Sequence, residues 1–156
     1  MIDVLRILWP TDFGEASNEA GKYAFSLADR FGAEVHALHV VQDLAASLPE
    51  SATLIASFPN GYMTQIQELA DEQLAAELPS DLAGGKEVLR AIEVGTPLTK
   101  ILDYAQKHDI DLIVMGTHGR TGLPHFLIGS VAERVVRHAP CPVLTVRPTV
   151  AQTSSS

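Results

Sequence analysis

The segment Gly116–Ser130, GTHGRTGLPHFLIGS, has the residue types of an anion-binding loop. It contains four glycines and no acidic residue. Glycine lets the backbone approach a ligand closely. Gly129 and Ser130 open a helix-like stretch, whose first N–H groups and dipole would favour an anion, and the Ser130 hydroxyl adds a donor. The loop is therefore predicted to cradle phosphate. The alternative is a flexible surface loop in which Ser130 only caps the helix.

Other phosphate-binding and catalytic motifs are absent from this segment. No lysine follows the last glycine, so it is not a Walker loop, and the G-x-G-x-x-G spacing of dinucleotide-binding proteins does not occur. No G-x-S-x-G nucleophile motif is present. His118 and His125 have no cysteine or carboxylate at metal-ligand spacing, which argues against a metal site of their own. His36 and His39 lie on a predicted strand and are interpreted as packed or edge-facing.

The rest of the chain alternates strictly between strand-like and helix-like patterns. The five predicted strands are IDVLRILWP, AEVHALHVV, KEVLRAIEV, DLIVMG and PVLTVR. The four predicted helices follow Gly14, begin near Tyr62, follow Gly95 and begin at Ser130. The strands are mostly continuous apolar runs, as in sheets that are covered on both faces. This pattern predicts a doubly wound parallel α/β sandwich.

The buried faces of the first two helices follow from their periodicity. The residues predicted to face the core are Ala20, Ala24, Leu27, Ala28 and Phe31 in the first helix and Met63, Ile66, Ala70 and Leu74 in the second. Gly32 is the predicted C-cap of the first helix. Thr96 and Pro97 are the predicted N-cap and first residue of the third.

Ligands of such sheets bind outside the carboxyl ends of the strands, where the strand order reverses. The loop PTDFG follows the first strand, and the glycine-rich loop follows the fourth. The two loops would form one site if these strands were neighbours, which their order in the chain does not establish.

Length and charge restrict the function further. The 156 residues predict a single domain over 1–148 and a disordered tail over 149–156. A net charge of −8 argues against a nucleic-acid surface but leaves room for a small anionic ligand. The single cysteine, the absence of a signal-peptide pattern and the absence of a long apolar run predict a cytoplasmic protein without a membrane span.

The glycine spacing carries a family resemblance. Two residues separate Gly116 from Gly119, nine residues separate Gly119 from Gly129, and Ser130 follows. This G-2x-G-9x-G-[S/T] pattern resembles the nucleotide-binding signature of the universal stress protein family. ILWPTDFGEAS, VHALHVV, GTPLTKILDYAQKHDIDLIVMGTHGRTG and GSVAERVVRHAPCPVLTVRP resemble further parts of that family. Residues 44–86 carry no match.

The resemblance implies a Rossmann-like sheet of order 3-2-1-4-5, of the adenine nucleotide alpha hydrolase-like type. That order would place strands one and four side by side. It also implies bound ATP, with Mg²⁺ or another divalent ion held mainly by the phosphates, and a homodimer formed through strand 142–147. The residues implied to contact the nucleotide are Pro10, Thr11, Asp12, Val40, Met115, Gly116, Gly119, Gly129, Ser130 and Val131.

Within this set, Asp12 would lie near the ribose and Val40 against the adenine. Met115 would lie between base and phosphates, and Arg120 is a phosphate contact suggested by its charge. The alternative for Asp12 is a plain cap of the first helix. The function implied is an ATP-binding regulator of a stress response. The alternatives are a homodimeric interaction protein that needs no nucleotide and a slow ATP hydrolase.

Overall fold

The computed structural model describes residues 1–42, 50, 53, 56–79, 88–118 and 128–148. These residues form a five-stranded parallel sheet of order β3-β2-β1-β4-β5, which confirms the predicted fold. The strands are β1 (Arg6–Pro10), β2 (Glu34–Val41), β3 (Val88–Val94), β4 (Leu112–Gly116) and β5 (Val143–Val146). β1 and β4 are neighbours, so the loops that follow them lie at the same edge of the sheet.

The helices are α1 (Glu15–Phe31), α2 (Tyr62–Glu77), α3 (Pro97–Lys107) and α4 (Ser130–His138). Successive strand residues point to opposite faces of the sheet, which divides the core into two layers. Ile7 and Trp9 pack with α1 and α2, whereas Leu8 packs with α3 and α4. Within the part of the chain that the structure describes, no helix is long and apolar enough to span a bilayer.

The start of α3 and the end of α1 agree with the sequence prediction. Thr96 is the N-cap of α3 and Pro97 its first residue, although the Thr96 side chain makes no capping hydrogen bond. Gly32 ends α1 with a left-handed backbone, φ 66°. A left-handed residue after a helix terminates it, and glycine adopts that conformation without a steric penalty.

Two residues predicted to face the core are instead exposed. Phe31 is 52% exposed, because α1 ends there and the turn at Gly32 brings Ala33, which is 2% exposed, into the core. Met63 is 37% exposed, because the buried residues of α2 are Ala70 and Leu74, further along the helix.

Candidate nucleotide site

A cavity of about 340 Å³ lies at the carboxyl ends of β1, β2 and β4. Its described lining residues are Pro10, Thr11, Asp12, Ser17, Leu38, Val40, Gln42, Pro97, Ile101, Met115, Gly116, Thr117, His118, Gly129, Ser130, Val131 and Ala132. Strand order reverses between β1 and β4, and this is the position where doubly wound sheets bind their ligands. The volume falls within the range of small-molecule sites, roughly 300–1,000 Å³.

Most of the residues predicted to bind nucleotide line this cavity. Those brought together are Pro10, Thr11, Asp12, Val40, Met115, Gly116, Gly129, Ser130 and Val131. Gly119 and Arg120 lie outside the described residues. Because residues of both loops line the same cavity, the loops after β1 and β4 form one site. Contacts between these lining residues and a ligand stay a prediction.

The loop after β1 is held by its own side chains. Asp12 Oδ1 accepts the Gly14 N–H at 2.8 Å and the Ser17 hydroxyl at 2.8 Å. Thr11 Oγ1 donates to Ser17 Oγ at 3.1 Å and accepts the Phe13 N–H at 3.0 Å. These bonds fix the Asp12 carboxylate at the cavity wall.

Asp12 is not the N-cap of α1, since Gly14 occupies that position and makes no side-chain cap. Asp12 instead closes a turn two residues earlier, through its bond to the Gly14 N–H. Its second oxygen, Oδ2, has no hydrogen-bond partner among the described residues. That oxygen can accept a hydrogen bond from a ligand hydroxyl.

The N-terminus of α4 supplies backbone donors. Gly129 is its N-cap and Ser130 its first residue, so the alternative in which Ser130 caps the helix is wrong. The Gly129 N–H donates to the Thr117 carbonyl, which joins the two ends of the glycine-rich loop. The N–H groups of Ser130, Val131 and Ala132 find no acceptor within the described chain. Unpaired N–H groups at a helix start favour an anion.

Another part of the cavity wall is apolar. It is formed by Leu38 and Val40 of β2, Pro97 and Ile101 of α3, and Met115 of β4. Leu38, Ile101 and Met115 are buried, so this wall is part of the core and keeps its shape. An apolar slot beside a row of N–H donors suits a ligand with a flat apolar group and an anionic group.

Charged groups are sparse at the site. Among the described lining residues, Asp12 is the carboxylate, and neither lysine nor arginine occurs. His118 is 8% exposed, and its Nδ1 lies 2.7 Å from Thr117 Oγ1. No group of three His, Cys, Asp or Glu suited to a metal ion occurs in the ranges that the structure describes. A divalent ion would therefore need phosphate oxygens as its main ligands, with Asp12 as the nearest carboxylate of the described lining.

A second polar cluster lies on the face of the sheet where Leu8 and Ile101 pack. His36 is 3% exposed; its Nδ1 lies 2.8 Å from the Tyr104 hydroxyl, and its Nε2 lies 2.9 Å from Glu34 Oε1. Burial raises the pKa of the Tyr104 phenol, and the nearby carboxylates of Glu93 and Glu34 raise this pKa further. His36 is thus a packed residue, as its place on a strand indicated.

Sequence reasoning missed the packing role of Gly116. A Cβ at this position would lie 2.7 Å from the Ala16 carbonyl carbon and 2.8 Å from Ser17 N, so no larger residue fits without moving α1. It also missed Ser17, whose hydroxyl holds Asp12. The role of Gly116 has no local sequence signal, because it depends on how closely α1 approaches the end of β4. The Ser17 contact is local, because Ser17 follows Asp12 by five residues.

The fold and the cavity define a doubly wound α/β protein with a ligand-sized site at its switch point. Residues 4–147 match the model of the universal stress protein family. The chain belongs to that family.

Named relatives agree with this assignment. A universal stress protein of Methanocaldococcus jannaschii is 38% identical over 146 residues, which cover 91% of this chain and 81% of that protein. The solved UspA of Lactobacillus plantarum is 30% identical with a TM-score of 0.71, over 94% of this chain and all of that one. A universal stress protein solved in complex with cAMP has the same fold at 21% identity and a TM-score of 0.61, over 95% of this chain and all of that one.

Proposed function

We propose that the protein binds ATP in the cavity between the β1 and β4 loops and acts as a regulator rather than as an efficient enzyme. The observation that carries the proposal is the meeting, in one cavity, of the unpaired N–H groups of α4 with an apolar wall and a carboxylate. The base would lie against Val40, the ribose beside Asp12, and the phosphates at Ser130 and Val131.

Each part of the nucleotide has a chemical counterpart in this cavity. A helix N-terminus favours phosphate through its N–H groups and its dipole. Asp12 Oδ2 can accept a ribose hydroxyl, because Oδ1 alone takes both bonds within the protein. The cAMP complex of a protein with this fold supports an adenine nucleotide as the ligand class.

A divalent ion would enter with the phosphates. Mg²⁺ commonly binds proteins through substrate phosphates together with one or two carboxylates. When bound, it would offset the phosphate charge at a site where the described lining has no lysine or arginine.

The test is calorimetry of ATP binding to the parent and to Gly129→Val. The added side chain would stand at the N-cap of α4, between the ligand and the N–H groups, so affinity should fall tenfold or more, about 1.4 kcal/mol at the least. Ser130→Ala is the matched control, because it keeps the N–H and removes only the hydroxyl, and it should weaken binding less. A folded Gly129→Val protein with the parent's affinity would refute this placement of the phosphates.

A further inference from the structure

Phe13, next to Asp12, has an unfavourable backbone conformation. Its φ is 64°, in the left-handed region that a bulky side chain rarely adopts. Such strain persists only where surrounding contacts impose it, and it concentrates at functional sites. Phe13 is not among the described residues that line the cavity, so a direct ligand contact does not explain its conformation.

Contacts with β2 hold this turn in place. The Phe13 ring stacks on the His39 ring, with centroids 4.2 Å apart and planes 27° apart. His39 Nδ1 donates to the Thr11 carbonyl at 2.8 Å, and the Thr11 N–H donates to the Leu38 carbonyl at 2.8 Å. The loop after β1 is therefore fastened to β2 by two hydrogen bonds and a ring stack.

The turn at Phe13 determines where Asp12 points. Phe13 lies between Asp12 and Gly14, and its left-handed backbone turns the chain so that the Gly14 N–H meets Asp12 Oδ1 at 2.8 Å. A relaxed Phe13 would move that N–H away and free the carboxylate to rotate. Ser17 alone would then hold Oδ1.

We propose that His39 and Phe13 are positioning residues that aim the Asp12 carboxylate at the ribose hydroxyls of the bound nucleotide. This inference rests on the proposed function, since it assigns the part of ATP that the loop recognises. His39 acts through Phe13 and Thr11, and Phe13 acts through the backbone of Gly14.

The experiment compares ATP with 2′,3′-dideoxy-ATP, which lacks both ribose hydroxyls. For His39→Ala we expect ATP affinity to fall about fivefold or more, because Asp12 loses its alignment with those hydroxyls. Affinity for the dideoxy compound should be nearly unchanged. Phe13→Ala should give the same selective loss, because it removes the ring that stacks on His39 and alanine is still strained at a positive φ. Phe13→Gly should lose less, because glycine adopts a positive φ without strain and can keep the turn.

A double-mutant cycle with Asp12→Ala separates positioning from general stabilisation. Once Asp12 is absent, His39→Ala should have no further effect on ATP affinity. Equal losses for both nucleotides, additive effects in the cycle, or a folded Phe13→Ala that discriminates like the parent would overturn the inference while ATP binding stands. A parent protein that binds neither nucleotide would overturn the proposed function and this inference with it.

Discussion

Replacement of Gly116 by alanine tests how tightly the end of β4 packs against α1. The new Cβ would lie 2.7 Å from the Ala16 carbonyl carbon and 2.8 Å from both Ala16 Cβ and Ser17 N. Two of these three atoms belong to the backbone, so rotation of a side chain cannot relieve the contact. Overpacking of this kind costs about 1–3 kcal/mol. We expect the free energy of unfolding to fall by about 2 kcal/mol and Tm by roughly 4–8 °C for a chain of this size.

Urea unfolding followed by tryptophan fluorescence is the assay. Trp9 is the single tryptophan, is 2% exposed and contacts α1 at Phe25, so it reports on this interface. The double variant Gly116→Ala/Ala16→Gly removes one of the three close atoms and should recover only part of the loss. An unchanged midpoint for Gly116→Ala would refute the reasoning. Complete recovery in the double variant would show that the backbone atoms of Ala16 and Ser17 can move away from the new Cβ.

The other predictions concern assembly and turnover. We expect a homodimer that pairs β5 strands along the open edge of the sheet. The Pro142 and Val146 carbonyls accept hydrogen bonds from Ile113 of β4 and from Thr117, which follows β4. By alternation, the Leu144 N–H points towards β4 and the Thr145 N–H points to the open edge. Thr145→Pro removes an N–H at the open edge and should give a folded monomer in sedimentation. Leu144→Pro removes an N–H that points towards β4 and should instead weaken the sheet. A parent protein that is monomeric at micromolar concentration would contradict the dimer. We also expect ATP turnover well below ~1 s⁻¹. Purified protein that hydrolyses ATP faster than this would contradict the proposal that the protein is not an efficient enzyme.

The succession of strands and helices could be predicted because it depends on local patterns. Apolar runs of strand length and amphipathic stretches of helix length alternate along the chain, and each is readable within its own window. The turn at Gly32 and the start of α3 at Pro97 were predictable for the same reason. Strand order was not local information, and it followed only from the family resemblance.

Most of the site's internal support could not be predicted from the sequence. The stack of Phe13 on His39 joins residues from a loop and a strand that α1 separates along the chain. Gly116 resembles any loop glycine until the distance to Ala16 is known. Phe31 has the spacing of a core residue, but the turn that follows it decides its exposure. For the ring stack and for Gly116 the deciding quantity is a distance between elements, which no local window of sequence contains.

The donors at the start of α4 owe their position to the sheet. Thr117 directly follows β4; its N–H donates to the Val146 carbonyl of β5, and its own carbonyl accepts the Gly129 N–H. Gly129 in turn accepts the Glu133 N–H in the first turn of α4. A continuous path of backbone hydrogen bonds therefore runs from β5 through Thr117 to the helix start. The N–H groups of Ser130 and Val131 are thus oriented before any ligand arrives, and a phosphate would meet donors whose ordering does not have to be supplied by binding.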